Sequence, residues 1–473
     1  MSDVAVAVVG GGISGLSAAY ELHRRNTPFV LIEKSERLGG VIRTEQTGGF
    51  TIDAGPDSIV TQKPAAIALC RELGLAARLI PTRTPRTAYV VRDGVLHPLP
   101  PGSVFGIPTG IGPLAAQRLL SWRGRLRLGL ELLAPRNRGN PARKSQEEIS
   151  RDESIAAFFR RRFGAEATDY LAEPLLAGIH SGDVERLSMR ALFPQFVEAE
   201  RSHGSVIRAF RRNAAARAST TEGQGPFRSF PEGLETLPRA LGARLPGRSV
   251  RRGIAVTGIE GGPPYALETA AGSRITADQV ILALPAHAAA PLVAGVDGVL
   301  GRLCASFTDT SIAIVVLAFP RDAVLHPLRG SGFVVPRVEP GLSITAATWI
   351  SSKWPGRAPG DHVLLRGFVG GARRPDAPAL PDATLVDTVR GDLTRLLGIA
   401  GDPVLARVYR WPRANPQHQV GHLERVAEID RRLARLPGLR IVGAAFRGVG
   451  IGDCVAAGRD AGAAAAAAAG SAP

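Results

Sequence analysis

The chain has 473 residues, the length of two or three domains, and 45% of them are hydrophobic, enough for large cores. Lys and Arg number 58 against 42 Asp and Glu, giving a net charge of +16 with neutral histidine. Cys70, Cys304 and Cys454 are far apart, which argues against a disulfide framework or a cysteine metal site and favours a reducing, cytoplasmic compartment. Because no apolar run approaches the roughly twenty residues of a spanning helix, we expect no transmembrane segment, and we expect no signal peptide before the first strand.

The first forty residues predict a dinucleotide-binding βαβ unit. The apolar run Val4–Val9 predicts a buried strand, and the glycine turn Gly10–Gly15 follows it directly. Leu16–Arg25 then has helical spacing, and Phe29–Ile32 predicts a second strand that ends at Glu33. The alternative interpretation is an ordinary strand–loop–helix connection that holds no ligand.

Each part of this unit has a physical role in nucleotide binding. Gly10 allows the tight turn, Gly12 lets the backbone approach a pyrophosphate, and Gly15 lets helix and strand pack closely. Glu33 would accept a hydrogen bond from a ribose 2′-OH, which argues against NADP. The predicted contacts at the turn are Gly10, Gly11, Gly12, Ile13, Ser14 and Gly15.

A second glycine turn favours FAD over NAD as the bound cofactor. Arg37-Leu38-Gly39-Gly40 follows the acidic residue closely, and Gly49–Gly55 leads into Gly55-Pro56-Asp57-Ser58. The RxGG element resembles that of the FAD-dependent amine oxidase superfamily, in which it reaches the pyrophosphate and the flavin end. Two ordinary surface turns are the alternative.

A strongly basic region lies in the middle of the chain. Between Arg118 and Lys144 there are eight basic residues and one acid, Glu131. Such a field suits an anionic substrate or an anionic membrane surface, and nucleic acid is disfavoured because no recognition module is visible and aromatic residues are scarce. A solvated arginine-rich surface is the alternative. The basic positions are Arg118, Arg123, Arg125, Arg127, Arg136, Arg138, Arg143 and Lys144.

The same region predicts a helix with one apolar face. Ser150–Glu153 has capping-box spacing. The side chains predicted to share the buried face, with Arg160–Arg162 largely off it, are Ile155, Phe158, Phe159 and Phe163.

The dinucleotide-binding fold is predicted to be discontinuous. A strand–hairpin–strand pattern over Val250–Pro285 supplies its second piece, and a strand at Leu439–Ala444 followed by a helix at Cys454–Ala469 supplies its third. Strand runs at Thr310–Phe319 and His362–Val369 predict a sheet-based substrate domain. The expected class is α/β: a discontinuous Rossmann-like FAD domain, a mixed-sheet substrate domain and a helical insertion. The predicted boundaries are 1–80, 225–298 and 413–473 for the FAD domain, 81–102 and 299–412 for the substrate domain, and 103–220 for the insertion.

The C-terminal motif carries a closer resemblance. Gly443–Cys454, with Gly458-Arg459 after it, resembles the signature of the protoporphyrinogen/coproporphyrinogen oxidases. Glu173–Ile179 and Phe193–Phe196 are similar to the helical insertion of that family. Together with Phe105-Gly106-Ile107-Pro108-Thr109, they are most similar to its bacterial coproporphyrinogen III oxidase branch.

The resemblance implies an extended FAD site. The nucleotide half would be held by the first turn with Glu33 and Lys34, and Val256 would offer a backbone contact to adenine. Val256 and Trp411 also fit ordinary core roles. The remaining implied contacts, along the pyrophosphate and flavin, are Arg37, Gly39, Gly40, Val41, Gly55, Pro56, Asp57, Ser58, Trp411, Val449, Gly450 and Ile451.

Substrate contacts are less clearly marked. Lys63 is a candidate for a substrate propionate, whereas Asp57 stands where eukaryotic relatives have an arginine, and this puts that contact in doubt. His418 replaces the tyrosine of a Pro-Gln-Tyr motif and is interpreted either as a group that titrates near neutral pH or, preferentially, as a tolerated surface change. No catalytic base is identified.

The implied reaction is a six-electron oxidation of a porphyrinogen in three flavin cycles, with O₂ reduced to H₂O₂ and no metal. Coproporphyrinogen III is favoured over protoporphyrinogen IX, because a tetracarboxylate gains more from a cationic cavity. The rivals are an amine oxidase or carotenoid desaturase and a GDP-dissociation-inhibitor protein without flavin chemistry. The basic insertion would dock on an anionic membrane, making the protein peripheral, or on a partner such as a ferrochelatase.

Overall fold

A computed structural model describes residues 3–100, 102–108, 110, 112–113, 118–133, 152–218 and 225–470. It divides into two compact units. The first comprises residues 1–81, 226–308 and 423–473, and the second comprises residues 82–225 and 309–422. These boundaries assign residues 299–308 to the first unit and 413–422 to the second, unlike the sequence-based division. The functional names given to the pieces stay predictions.

The elements are numbered in chain order among the described residues. The strands are β1 Val4–Val9, β2 Phe29–Ile32, β3 Thr44–Thr47, β4 Phe50–Asp53, β5 Ile59–Val60, β6 Ile80–Pro81, β7 Ala88–Arg92, β8 Val95–Pro98, β9 Ser103–Val104, β10 Ile107–Pro108, β11 Phe227–Ser229, β12 Val250–Arg251, β13 Val256–Gly261, β14 Tyr265–Thr269, β15 Arg274–Ala283, β16 Thr308–Pro320, β17 Gly332–Val334, β18 Ala346–Trp349, β19 His362–Gly370, β20 Leu405–Gln417 and β21 Leu439–Val442. The α-helices are α1 Ile13–Arg24, α2 Pro64–Glu72, α3 Trp122–Gly129, α4 Ile155–Phe163, α5 Ala165–Ala167, α6 Met189–Leu192, α7 Pro194–His203, α8 Val206–Ala218, α9 Thr236–Arg244, α10 Ala286–Ala294, α11 Gly298–Ala305, α12 Ile350–Lys353, α13 Asp382–Leu397, α14 His422–Leu433, α15 Ala444–Arg447 and α16 Ile451–Ala469.

The first unit is built on a parallel sheet. Its parallel strands lie in the order β12-β2-β1-β15-β21, and β14 and β13 continue the sheet antiparallel from the N-terminal half of β15. The strands of this centre are buried on both faces, which explains their continuous apolar sequences. The carboxyl ends of β1, β2, β15 and β21 therefore lie along one edge, where such sheets bind ligands.

Glycines let the C-terminal helix pack directly on α1. A Cβ atom placed on Gly462 would lie 2.6 Å from the Ala18 carbonyl oxygen, and one on Gly458 would overlap the Ser14 carbonyl oxygen. Neither position can therefore carry a side chain while the two helices keep this separation. The close approach places Gly458, in the second turn of α16, against the first turn of α1.

The second unit contains a mixed sheet in the order β20-β16-β19-β18-β17-β7-β8, in which β17 and β7 are parallel. Helix α13 packs on it through the buried residues Leu385, Val389 and Leu393. Gly367 of β19 makes room for Val389, since a Cβ atom there would lie 2.5 Å from Val389 Cγ1.

The helical part of the second unit has an aromatic core with one buried ion pair. Phe158, Phe159 and Phe163 of α4 are buried. Arg162 is also buried and pairs with Glu131, so the expectation that it lies off the buried face is wrong. Glu131 accepts further hydrogen bonds from Ser205 Oγ, Val206 N and Ile207 N, at 2.7, 2.7 and 3.2 Å. It thereby satisfies free N–H groups at the start of α8.

The predicted fold class is confirmed, and most of the predicted elements are present. Strands β1 and β2 have the predicted bounds, whereas α16 begins three residues before the predicted Cys454. The predicted capping box is wrong, because Ser154 is the N-cap of α4 and accepts from Ala157 N at 3.1 Å. Parts of several interpretations fall outside the described residues: Thr109, Arg136, Arg138, Arg143, Lys144, Ser150 and Arg151.

The packing of α16 on α1 can be tested with Gly458→Val. We expect the free energy of unfolding to fall by about 2–4 kcal/mol, because the added side chain overlaps the backbone of α1. Gly391→Ala is the control: it is a helical glycine in α13 whose Cβ would meet nothing within 4 Å, and we expect equal or slightly higher stability. Chemical denaturation of both variants checks this, and equal stabilities would contradict the packing argument.

Candidate cofactor site

The first glycine turn connects β1 to α1 with no room for side chains at two positions. Gly10 has φ +105°, and its N–H donates to the Ile32 carbonyl at 2.8 Å. A Cβ atom on Gly15 would overlap the Gly10 carbonyl oxygen, so the helix starts directly against the turn. Both glycines are therefore required by the protein's own backbone.

Gly12 differs from these two glycines because it borders open space. A Cβ atom on Gly12 would meet nothing within 4 Å, and its φ of −69° with ψ 178° suits any residue. It is the N-cap of α1, and no side chain caps this helix end. The first turn of α1, Ile13 and Ser14 included, thus begins beside open space, as binding of a phosphate at a helix N-terminus requires. The residues present are compatible with a dinucleotide.

Glu33 lies at the end of β2, against the glycine turn. Its Oε2 accepts from Gly11 N at 2.6 Å, and its Oε1 accepts from Ser35 N and Ser35 Oγ at 2.9 and 2.8 Å. These bonds fix the carboxylate beside the turn, where the sequence predicts a ribose contact. Lys34, predicted with it, is exposed.

The second glycine turn is hydrogen-bonded to the first. Gly39 N donates to the Gly11 carbonyl at 2.8 Å, and Gly12 and Gly39 form an isolated parallel bridge. A Cβ atom on Gly40 would lie 3.2 Å from the Gly12 Cα. Val41, the next residue, is exposed. The two turns predicted from sequence therefore form one surface.

Arg37 braces the second turn from within. Its guanidinium donates to the carbonyls of Leu38 at 2.9 Å, Ile42 at 2.8 Å and Gly40. The predicted reach of Arg37 to a pyrophosphate stays a prediction, and the described contacts give it a structural role in shaping the turn.

The segment from Gly55 to Ser58 joins β4 to β5. Asp57 is buried, and its Oδ1 accepts from Ser58 Oγ at 3.0 Å. Gly55 and Pro56 are half-buried. Preceding them, Asp53 Oδ1 accepts from Leu234 N at 2.8 Å, which ties this segment to the chain before α9.

The start of α16 also lies at the candidate cofactor site. Gly450 is its N-cap and Val449 and Ile451 flank it. Asp453 Oδ2 accepts from Gly450 N at 3.2 Å and pairs with Lys63 Nζ. Lys63 is itself the N-cap of α2, and Cys454 is hydrogen-bonded to Ser14 of α1. The N-termini of α1, α2 and α16 therefore meet, and together they favour an anionic ligand.

Val256 and Trp411 lie in different units. Glu33 N donates to the Arg251 carbonyl at 2.9 Å, and Ile254 N donates to the Glu33 carbonyl at 3.0 Å, so the chain leading to Val256 runs beside Glu33. Val256 itself is partly buried and packs against the hydrophobic cluster that includes Val30 and Val280. Trp411 is half-buried on β20 of the second unit. The cofactor roles of both stay predictions.

His418 is not a surface residue. It is 2% exposed and stacks on the buried His422, with ring centroids 3.8 Å apart and planes 11° apart. The preferred interpretation, a tolerated surface change, is therefore wrong. Sequence reasoning missed His422, whose four-residue spacing from His418 was the available signal.

Neither a reactive thiol nor a metal centre is found among the described residues. Burial raises the pKa of Cys454 to about 11 and those of Cys70 and Cys304 to about 12, so all three stay protonated at neutral pH. Within the ranges given above, no three His, Cys, Asp or Glu side chains are grouped to hold a metal. In those same ranges, no helix has the length and apolar character needed to cross a bilayer.

Comparison with known proteins agrees with this site. The family model described as "Flavin containing amine oxidoreductase" matches residues 13–466. Coproporphyrinogen III oxidase of Bacillus subtilis (strain 168) is 37% identical over 96% of each chain, and that of Staphylococcus aureus (strain NCTC 8325 / PS 47) is 33% identical over 96% of this chain and 97% of its own. A solved structure from Exiguobacterium sp. 255-15, provisionally named a protoporphyrinogen oxidase, is 33% identical, covers 99% of this chain and 100% of its own, and has a TM-score of 0.85.

Gly12→Val tests whether the open space holds the cofactor. We expect bound flavin to be lost, with at least about a tenfold rise in its dissociation constant, because the valine occupies the approach of the pyrophosphate. The apoprotein should unfold close to the wild-type midpoint, since the added Cβ atom meets no protein atom within 4 Å. Flavin absorbance and apoprotein melting measure the two effects.

The matched control is Gly262→Val, in the hairpin between β13 and β14, where a Cβ atom also meets nothing within 4 Å. Full flavin content in this variant is expected. Wild-type flavin affinity in Gly12→Val would contradict the site.

Proposed function

Since the chain belongs to the flavin containing amine oxidoreductase family, as an FAD-dependent oxidoreductase, we propose that it oxidises coproporphyrinogen III to coproporphyrin III with O₂ as acceptor. The observation that carries this is the full-length similarity to two coproporphyrinogen III oxidases, combined with the two-turn site of the first unit. The alternative is protoporphyrinogen IX by the same chemistry.

FAD supplies the redox chemistry, and the chain supplies binding and orientation. The turns at Gly10–Gly15 and Gly39–Gly40 would receive the pyrophosphate, and Glu33 would orient the ribose. The residues at 449–451 would lie at the flavin ring. No side-chain acid or base is assigned, because formation of an aromatic product favours the reaction without strong proton-transfer catalysis.

A strongly cationic chain supports the tetracarboxylate substrate. The net charge of +16 favours an anionic ligand, and the favourable interaction grows with the number of carboxylates. We expect kcat/KM for coproporphyrinogen III to exceed that for protoporphyrinogen IX at least several-fold. Side-by-side porphyrin fluorescence assays at equal, low ionic strength measure the ratio. The reverse preference would contradict the substrate assignment and leave the flavin site standing.

We further propose that the basic insertion docks on an anionic membrane surface. Helix α3 and the 3₁₀ turn after it, Leu130–Leu133, expose a row of large apolar side chains. Trp122, Leu126, Leu130 and Leu133 are 64, 59, 48 and 77% exposed. The first three are spaced by four residues and so share one helix face. A row of four exposed large apolar side chains is typical of an interaction site.

Positive charge borders this face. Arg118 and Arg123 are exposed beside it, and the Arg123 guanidinium lies 5.3 Å from the centre of the Trp122 ring. Apolar side chains that enter the headgroup boundary beside arginines are the features of interfacial helices. Each such arginine contributes about 1 kcal/mol at an anionic surface.

Hydrogen bonds fix the opposite side of α3 to the rest of the second unit. Ser121 N and Ser121 Oγ donate to Glu166 at 2.8 and 2.7 Å, and Arg127 donates to the carbonyls of Arg161 and Arg162 at 2.8 and 2.9 Å. Helix α3 is therefore anchored by its inner side while its apolar row faces outward.

Vesicle co-sedimentation tests the docking. We expect wild-type protein to pellet with vesicles of phosphatidylcholine and phosphatidylglycerol, and several-fold less with phosphatidylcholine alone or in high salt. Leu126→Gln/Leu130→Gln should abolish pelleting, because it removes the apolar contact. Leu325→Gln is the control, since Leu325 is highly exposed elsewhere in the same unit. Binding insensitive to lipid charge, or binding to a ferrochelatase but to no vesicle, would contradict the proposal.

A further inference from the structure

The ion pair between Lys63 and Asp453 lies where the predicted flavin-end loop enters α16. Lys63 Nζ contacts Asp453 Oδ2, and the same oxygen accepts from Gly450 N at 3.2 Å. The two side chains are 45 and 21% exposed. One carboxylate oxygen thus connects a lysine from the start of α2 to the backbone that begins α16.

The loop is shaped around this pair. A Cβ atom on Gly448, which has φ +124°, would lie 2.5 Å from Asp453 Oδ2. One on Gly450 would lie 3.3 Å from that oxygen and 3.4 Å from Lys63 Nζ, and one on Gly452 would lie 2.7 Å from Lys63 Cβ. Three glycines are therefore placed where a larger residue would displace one of the two charged side chains.

The pair also sets the charge at this helix end. A carboxylate in the first turn offsets the positive end of the helix dipole, and the lysine restores positive charge beside it. Reduction of a flavin adds negative charge to its ring, which nearby positive charge favours. Lys63 and Asp453 therefore have opposite effects on the stability of a reduced flavin bound at 449–451.

We propose that Lys63 and Asp453 form a positioning pair that orders the loop of residues 448–450 and balances its charge toward the flavin, in place of a substrate-binding role for Lys63. The proposal rests on the placement of the flavin ring given above. Because the charge of Lys63 is already balanced by Asp453, a substrate carboxylate would have to compete with Asp453 for this lysine.

The test is a set of charge variants examined as holoproteins without substrate. We expect Lys63→Met to shift the flavin midpoint potential to more negative values and to raise the FAD dissociation constant about five-fold. Asp453→Asn should shift the potential the opposite way. Lys63→Met/Asp453→Asn should return it close to wild type, and Lys63→Arg should retain wild-type values, because it keeps the charge.

Arg78→Met is the matched control. Arg78 pairs with Glu232 at 3.0 Å in the same unit, its side chain is 47% exposed against 45% for Lys63, and neither residue belongs to α16 or the loop before it. Its flavin potential and affinity should be those of the wild type. If Lys63→Met alone is too unstable to hold FAD, retention of FAD by the double variant supports the pair, and loss from both overturns it.

Steady-state kinetics separates this role from substrate binding. A wild-type potential and FAD affinity in Lys63→Met, together with a tenfold or larger rise in KM for coproporphyrinogen III, would overturn the proposal in favour of a propionate contact. A double variant whose potential stays as far from wild type as that of Lys63→Met would also overturn it. Absence of porphyrinogen turnover in the wild type would contradict the proposed function only, since the potentials need no substrate.

Discussion

The close contact between α1 and α16 is the constraint on which the cofactor site depends. Helix α1 leaves the first glycine turn, and α16 is the last helix of the described chain, yet Cys454 is hydrogen-bonded to Ser14. This is possible because Gly458 and Gly462 bring the helix backbones together without intervening side chains. A larger separation would move residues 449–451 away from the glycine turns and divide the site into two unrelated loops.

Signals that are local in sequence predicted the fold well. Strands β1 and β2 follow from apolar runs next to glycine turns, and the helix predicted at Cys454–Ala469 forms most of α16. Both glycine turns were predicted, but the hydrogen bond from Gly39 N to the Gly11 carbonyl that joins them was not, because it is a tertiary contact. Contacts between sequence-distant partners carry no periodic signature.

Two of the errors concern polar side chains that the structure buries. Arg162 is expected largely off the apolar face, but Glu131 and the start of α8 provide a buried environment with enough hydrogen bonds to accept it. A tolerated surface change is the preferred interpretation of His418, but His422 supplies a stacking partner in a buried position. Helical spacing was an available signal in both cases, since Arg162 follows Phe158 and His422 follows His418 by four residues. The partner Glu131, by contrast, lies 31 residues from Arg162 in the chain and has no local signature.

The cations of the first unit have a related property. Arg37 is held by three carbonyls of its own turn, and Lys63 is paired with Asp453. We therefore expect attraction for an anionic cofactor to come mainly from converging helix N-termini and backbone N–H groups, which are held in place before the ligand enters. Side-chain charge instead shapes the loops that present this backbone. On this view, a substitution that keeps the charge should be tolerated at Lys63, whereas added volume at Gly12 should not, because the ligand and the new side chain would occupy the same space.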